Sequence, residues 1–266
     1  LRNYSERTIK SYSACMSKVK QFSVLPFDKI TIELFKDYLH KRITVDGISV
    51  SLINQAISAF KIMQVDVFGR EWEPIRIKRP RRDKRLPVIL TTSEIAKMIS
   101  LTQNIKHKAL LALAYSSGIR REETRTLKPG DIDSQGMRIH VVQGKGKKDR
   151  YTVLSTKALE LLRVYYKQER PVKYLFEPIR KKGQYLGAET INKIAKNAAV
   201  RAGIKKKMSF HTLRHCFATH LLEKGVNLRL IQQFMGHSSI KTTALYLHLA
   251  NINPGSIVSP FDDMDI

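Results

Sequence analysis

Cysteine is scarce in this chain. The only two, Cys15 and Cys216, lie far apart and outside any Cys-x-x-Cys spacing. That argues against a disulfide framework or a zinc ribbon and fits a reducing cytosol. Long apolar runs are missing as well. The longest, Ala109 to Tyr115, falls far short of the roughly 20 residues that a membrane-spanning helix needs. No secretory leader opens the chain, so a cytoplasmic location is expected. It begins at Leu1 rather than Met, which leaves room for residues upstream. Acidic residues are few: 23 against 48 Lys and Arg, a net charge of +25. Self-repulsion of this size destabilises a compact state unless a polyanion offsets it, and nucleic acid is the commonest one.

What is present is a foldable chain of 266 residues with 42% hydrophobic content, enough for one large domain or two ordinary ones. Residues 1–74 read as short helices. One starts at Ser5, with Ile9, Tyr12, Met16 and Val19 at helical spacing; a second starts at Thr31, with Ile32, Phe35, Tyr38 and Leu39. A third starts at Ser49 and carries Leu52, Ile53, Ala56, Ile57 and Phe60. Residues 75–90 form a basic linker. From Arg76 to Pro87, two prolines and seven basic residues share twelve positions, which suits a segment crossing a phosphate backbone.

Residues 91–266 read as a second, mixed α/β domain. Thr91-Thr-Ser-Glu94 is a capping box. Lys106 to Ser117 is a largely apolar, buried helix that Gly118 ends, and Arg120 follows at the edge of that core. Glu123 to Leu127 continues as helix. Met137–Val142 and Arg150–Leu154 alternate as strands, and Gly144–Asp149 makes the basic tip of a hairpin. Helices are expected at Thr156–Gln168 and Ala188–Ala202 and from Ser209 onward. The fold class is therefore mainly α with a small β-hairpin or sheet.

The chemistry concentrates between Ser209 and His248. His211-Thr-Leu-Arg214-His215 puts His211 and Arg214 on one side of a helix. Gly236-His237-Ser-Ser-Ile-Lys-Thr-Thr follows, with Tyr246 nine residues after His237. A phosphodiester accounts for such a set: Arg for the non-bridging oxygens, His for protons, Tyr for attack. Upstream stand Gly118-Ile119-Arg120 with Glu123 and Leu127, and Gly144-Lys145-Gly146 with Lys148 and Arg150. In this order the four boxes resemble those of the tyrosine recombinases, the phage integrases and Xer-type enzymes, over nearly the whole chain.

The resemblance implies a helical core-binding domain at 1–74 and a catalytic domain at 91–266 that together clamp double-stranded DNA. It implies site-specific recombination through a 3′-phosphotyrosine. Such transesterification retains bond energy, so no cofactor and no metal are expected. Arg120 and Arg214 would hold the non-bridging oxygens, since a guanidinium keeps its charge and binds bidentately. Lys145 would protonate the leaving 5′ oxygen. His211 would accept or donate a proton, His237 would hydrogen-bond the phosphate, and Tyr246 would be the nucleophile. Glu123 would orient Arg120 or an active-site neighbour.

Four subunits on two duplexes are expected, with the tail from Asn251 to Ile266 docking on a neighbour. No additional arm-binding module is evident ahead of the bundle, which favours the Xer-like kind. Chromosome-dimer resolution, phage or transposon integration and excision, and inversion stay open. A type IB topoisomerase would share the chemistry without needing two sites, and a non-catalytic DNA-binding module would need neither Tyr246 nor the Arg pair. Outside this set, His215 and His220 read as structural histidines, Cys216 as a packed small side chain, and Tyr115, Tyr165 and Tyr166 as core.

Overall fold

A computed structural model describes residues 4–72, 79–80, 86–142 and 149–251. Lys145 with the rest of 143–148, most of the linker, and the tail from residue 252 lie outside the described residues. The chain divides into two compact units, Leu1–Arg85 and Leu86–Ile266.

In the first unit, α1 (Glu6–Ser23), α2 (Ile32–Thr44) and α3 (Val50–Ile62) start where the hydroxyl residues indicate. The side chains of Ser5, Thr31 and Ser49 each accept the backbone N–H three residues on, meeting a donor that the first helical turn leaves unpaired. A π-helical turn, Met63–Val67, extends α3. Phe35 and Phe60 stack with centroids 3.9 Å apart, and Ile30, Ile53 and Ile57 close around them. Phe35, Ile53, Ile57 and Phe60 lie on the apolar stripes that the spacing predicts, whereas Ile9 and Leu52, expected on the same stripes, are about half exposed, because they sit at the margins of the buried helix faces.

In the second unit, Thr91 and Glu94 complete the capping box that opens α4 (Thr92–Ser100). Helix α5 (Ile105–Ser117) is buried nearly all round, as its composition requires, and its core residues Leu110, Leu111 and Leu113 are fully enclosed. Gly118 ends it in the left-handed region at φ 61°. A Cβ there would stand 2.2 Å from the Phe217 ring, so both backbone and packing require glycine. Helix α6 (Arg121–Thr126) follows at once.

The hairpin gains a strand. β1 (Ile132–Asp133) pairs antiparallel with β2 (Arg138–Val141), and β2 pairs with β3 (Arg150–Val153), in the order β1-β2-β3. Two residues are too short a run to show alternation, so β1 offers no period to read. Helices α7 (Thr156–Glu169) and α8 (Ala188–Arg201) complete the main core with α5 and the first half of α9 (Phe210–Glu223). A smaller cluster joins Phe217 and Leu222 of α9 to α10 (Leu228–Met235) and to Tyr246 of the 3₁₀ turn Leu245–His248, which follows the short α11 (Ile240–Ala244). Tyr165 is core, as expected, but Tyr166 is exposed and Tyr115 only half-buried. Neighbours in sequence point to different sides of α7, so one stripe cannot bury both. Among the described residues no helix is long and apolar enough to cross a membrane.

Candidate active site

Three arginines from three parts of the second unit converge on three consecutive carbonyls. Arg150 of β3 donates Nε–H to Phe234 O at 3.0 Å. Arg214, in the middle of α9, donates to Met235 O, and Arg120, at the start of α6, donates Nη2–H to Gly236 O at 2.7 Å. These carbonyls are the end of α10, where unpaired C=O groups and the helix dipole attract cations. Gly236 makes the arrangement possible. Its φ of 58° turns the chain there, and a Cβ would come within 2.6 Å of the Arg150 side chain. The Gly-His of the fourth box is thus a platform as much as a ligand set.

Glu123 binds two of the three arginines. Its Oε1 accepts from Arg120 Nη1 and Arg150 Nη1, each at 2.8 Å, and its Oε2 accepts from Arg150 Nη2 and the Arg120 backbone N–H at 2.7 Å. Burial alone would raise its pKa, but the hydrogen bonds and charge of Arg150 and then Arg120 prevail and bring it down to about 2. The expectation that Glu123 orients Arg120 is met in this contact. The contact to Arg150 has no sequence signal beyond membership of the second box.

This shift makes stability depend on pH in the acid range. A carboxylate whose folded pKa lies below its ordinary 4.5 contributes stability above that value and loses it as pH falls toward 2. The shift corresponds to about 3 kcal/mol. Wild type therefore loses that share of its unfolding free energy between pH 5 and 2, whereas Glu123→Gln lacks this part of the slope. Urea unfolding across a pH series checks it; equal slopes would remove Glu123 from the role.

Arg214 is the most enclosed of the three, only 2% exposed. It also donates to Gly118 O, so the α5 stop and the α10 end are joined through one guanidinium. Burial, with Arg120 nearby, lowers its pKa to about 9, so it stays charged at neutral pH.

Tyr246 sits in the 3₁₀ turn, 2% exposed. Burial pushes its pKa up to about 12, while Arg214 and Arg120 pull the other way. His237 lies with its ring parallel to the tyrosine, centroids 6.4 Å apart, and its Nδ1 pairs with the Thr243 hydroxyl at 2.9 Å. Burial and then Arg214, Arg120 and Arg150 depress its pKa to about 3. His211 stands at the open side of the cluster. Protein packed about its ring, then Arg214 and Arg120, holds it below the usual histidine range.

Of the residues expected from sequence, Arg120, His211, Arg214, His237 and Tyr246 are brought together; Lys145 falls outside the described residues. His220 and Cys216 are structural, as expected. His220 pairs with the Tyr115 hydroxyl at 2.9 Å, and Cys216 is fully buried, its sulfur accepting the Leu90 N–H. His215 is different. Its Nδ1 meets the Tyr246 hydroxyl at 3.1 Å. The four-residue spacing from His211 is the available signal, since it sets both rings on one side of α9.

A mostly helical second unit with a three-stranded sheet, closing arginines and histidines around one buried tyrosine, defines the tyrosine recombinase class. Residues 88–252 match the phage integrase family. A putative integrase/recombinase of Sinorhizobium fredii (strain NBRC 101917 / NGR234) is 35% identical over 264 residues, covering 98% of this chain and 85% of that protein. The crystal structure of XerA recombinase is similar with a TM-score of 0.59 at 30% identity, covering 93% of this chain and 89% of that one. XerH site-specific recombinase bound to palindromic difH substrate shares the fold, with a TM-score of 0.73 at 21% identity, over 94% of this chain and 78% of that one. The chain belongs to the phage integrase family.

Proposed function

We propose that this chain, a tyrosine-type site-specific recombinase, cuts and rejoins duplex DNA with Tyr246 as nucleophile. The observation that carries the assignment is one buried tyrosine that meets His215, lies parallel to His237 and packs in the cluster of Met235, whose carbonyl, with that of Gly236, fixes Arg214 and Arg120. Both guanidiniums are already fixed on protein carbonyls. Donors held in advance where charge will develop need no reorganisation when the phosphorane forms, and this is commonly the largest catalytic contribution. Thr243 holds His237 by Nδ1, which directs Nε2 to a non-bridging oxygen. His211, at the open side, faces arriving DNA. Lys145, from the basic tip, protonates the 5′ oxygen as it leaves.

Residues 1–74 and 91–266 each bind duplex DNA, and the basic segment 75–90 adds contacts to phosphates. Two duplexes with two protomers each require a tetramer, and a head-to-tail interface closes such a ring. The tail beyond Asn251 is the segment proposed to pass between neighbours. The proposed compartment is the cytosol.

The test begins by sequencing DNA that stays covalently attached to the protein in cells, which yields a substrate. Two differently marked copies of that site should then exchange strands in the presence of EDTA. Relaxation of supercoils without exchange would favour the topoisomerase reading. Binding without any covalent adduct would favour the non-catalytic module.

Lys145 has its own signature. Lys145→Ala should slow cleavage of a normal site and recover with a 5′-bridging thio substrate, whose thiolate leaves without a proton. Absence of that recovery would take Lys145 out of the acid role.

A further inference from the structure

We infer that His215 is a catalytic residue of the same reaction: it holds the Tyr246 hydroxyl and takes its proton as the phenolic oxygen attacks phosphorus. The inference rests on Tyr246 being the nucleophile. The family resemblance gives His211 the task of accepting or donating a proton; the geometry points to its neighbour one turn on for the proton of Tyr246.

The contact itself carries the case. Tyr246 Oη lies 3.1 Å from His215 Nδ1, within the range where a base can remove a proton directly. Burial keeps the phenol protonated, and burial with His211 and Arg214 alongside keeps His215 neutral. With the ring proton on Nε2, Nδ1 accepts from the phenol at this distance. That is the tautomer a base needs before the step begins.

His215 is also held in place. It lies on α9 between Arg214 and Cys216, both buried. Its ring meets that of His211 edge-on at 4.8 Å and 89°. The other two histidines are engaged differently. His237 pairs with Thr243 and lies parallel to the tyrosine ring, and His211 stands at the open rim.

The step balances. The Tyr246 O–H bond breaks and its proton passes to Nδ1 while the Oη–phosphorus bond forms. The bond from phosphorus to the 5′ oxygen breaks, its electron pair leaves with that oxygen, and the separate acid protonates it. Rejoining runs in reverse, with His215 returning its proton to Tyr246. An isolated imidazolium would be costly here, but the phosphodiester that arrives brings negative charge, and an opposite charge within about 4–6 Å favours the protonated ring.

The experiment combines two His215 variants with an altered nucleophile. His215→Phe keeps an aromatic ring and loses the nitrogen; His215→Asn keeps a hydrogen-bond acceptor that cannot hold a proton. Each is made with tyrosine or with 2,3,5-trifluorotyrosine, a more acidic phenol, at position 246. Single-turnover cleavage is measured on a nicked duplex carrying the recovered site, as the rate constant of the DNA-bound fraction. Partial misfolding then lowers the amplitude and leaves the result intact.

Both variants should slow cleavage about 100-fold with tyrosine, the range for loss of a general base. With the fluorinated phenol the penalty should shrink to about tenfold or less, because less work is left for a base. A penalty that is the same with either phenol would overturn the inference. So would a wild-type rate from His215→Asn, which would leave His215 a positioning residue. Failure of the underlying reading looks different: Tyr246→Phe would still form an adduct, whatever stands at position 215.

Discussion

Tyr246→Phe should bind duplex DNA as tightly as wild type and leave no protein attached to it. The substitution removes one oxygen and keeps the ring, which packs with Phe217, Ile231 and Met235 in the smaller core cluster. What is lost besides the nucleophile is the hydrogen bond to His215, a loss of roughly 0.5–1.5 kcal/mol in stability. The fold and the basic surface therefore survive, while the bond to phosphorus has no atom to form from. A denaturing gel of a labelled, nicked site shows the result directly. A slow-migrating covalent band from the variant would place the nucleophile elsewhere, and the roles of every other residue around Tyr246 would fall with it.

Arg214→Ala should give the next largest effect. Loss of one preorganised donor to a developing charge typically costs about 2.7–4 kcal/mol in the barrier, so cleavage should slow by at least about two orders of magnitude. Stability should fall as well, on the order of 2–4 kcal/mol, because a buried side chain disappears and the carbonyls of Gly118 and Met235 lose their donor. The two losses separate in measurement. Urea unfolding reports the second, and the single-turnover rate of DNA-bound protein reports the first. Arg214→Lys restores charge but not a two-armed fork, so it should recover part of the stability and little of the rate. Cleavage by Arg214→Ala at the wild-type rate would mean that Arg214 is only a brace between α5 and α10.

Much of the fold is legible in the amino-acid sequence. Helix starts are, because Ser5, Thr31, Ser49 and Thr91 cap by a purely local rule, and each is seen bonded as that rule requires. The end of α5 is, because a left-handed residue pressed against Phe217 leaves no choice but glycine. The convergence of Arg120, Arg214, His237 and Tyr246 is legible through the order and spacing of the four boxes, which match a family; no periodicity displays it.

Two features are hidden for a physical reason. The platform at residues 234–236 consists of backbone carbonyls, and these carry no residue identity for a sequence to display. Arg150 is bound there across 84 positions, and the Glu123 that holds it is 27 away. The role of His215 is hidden because it depends on the direction in which the 3₁₀ turn presents Tyr246. Spacing from His211 shows that the two rings share a side of α9, but not which of them the phenol meets.

The central claim is that Tyr246 becomes bonded to DNA, and one measurement tests it most directly. Wild-type protein is incubated with a nicked site so that the cut strand diffuses away and traps the intermediate. The adduct is digested with nuclease and protease, and the peptide that carries the residual nucleotide is sequenced by mass spectrometry. The modification should fall on Tyr246, within Thr242-Thr-Ala-Leu-Tyr246-Leu-His248, as a 3′-phosphotyrosine. A nucleotide on any other side chain, or on the 5′ end of the cut strand, would contradict it.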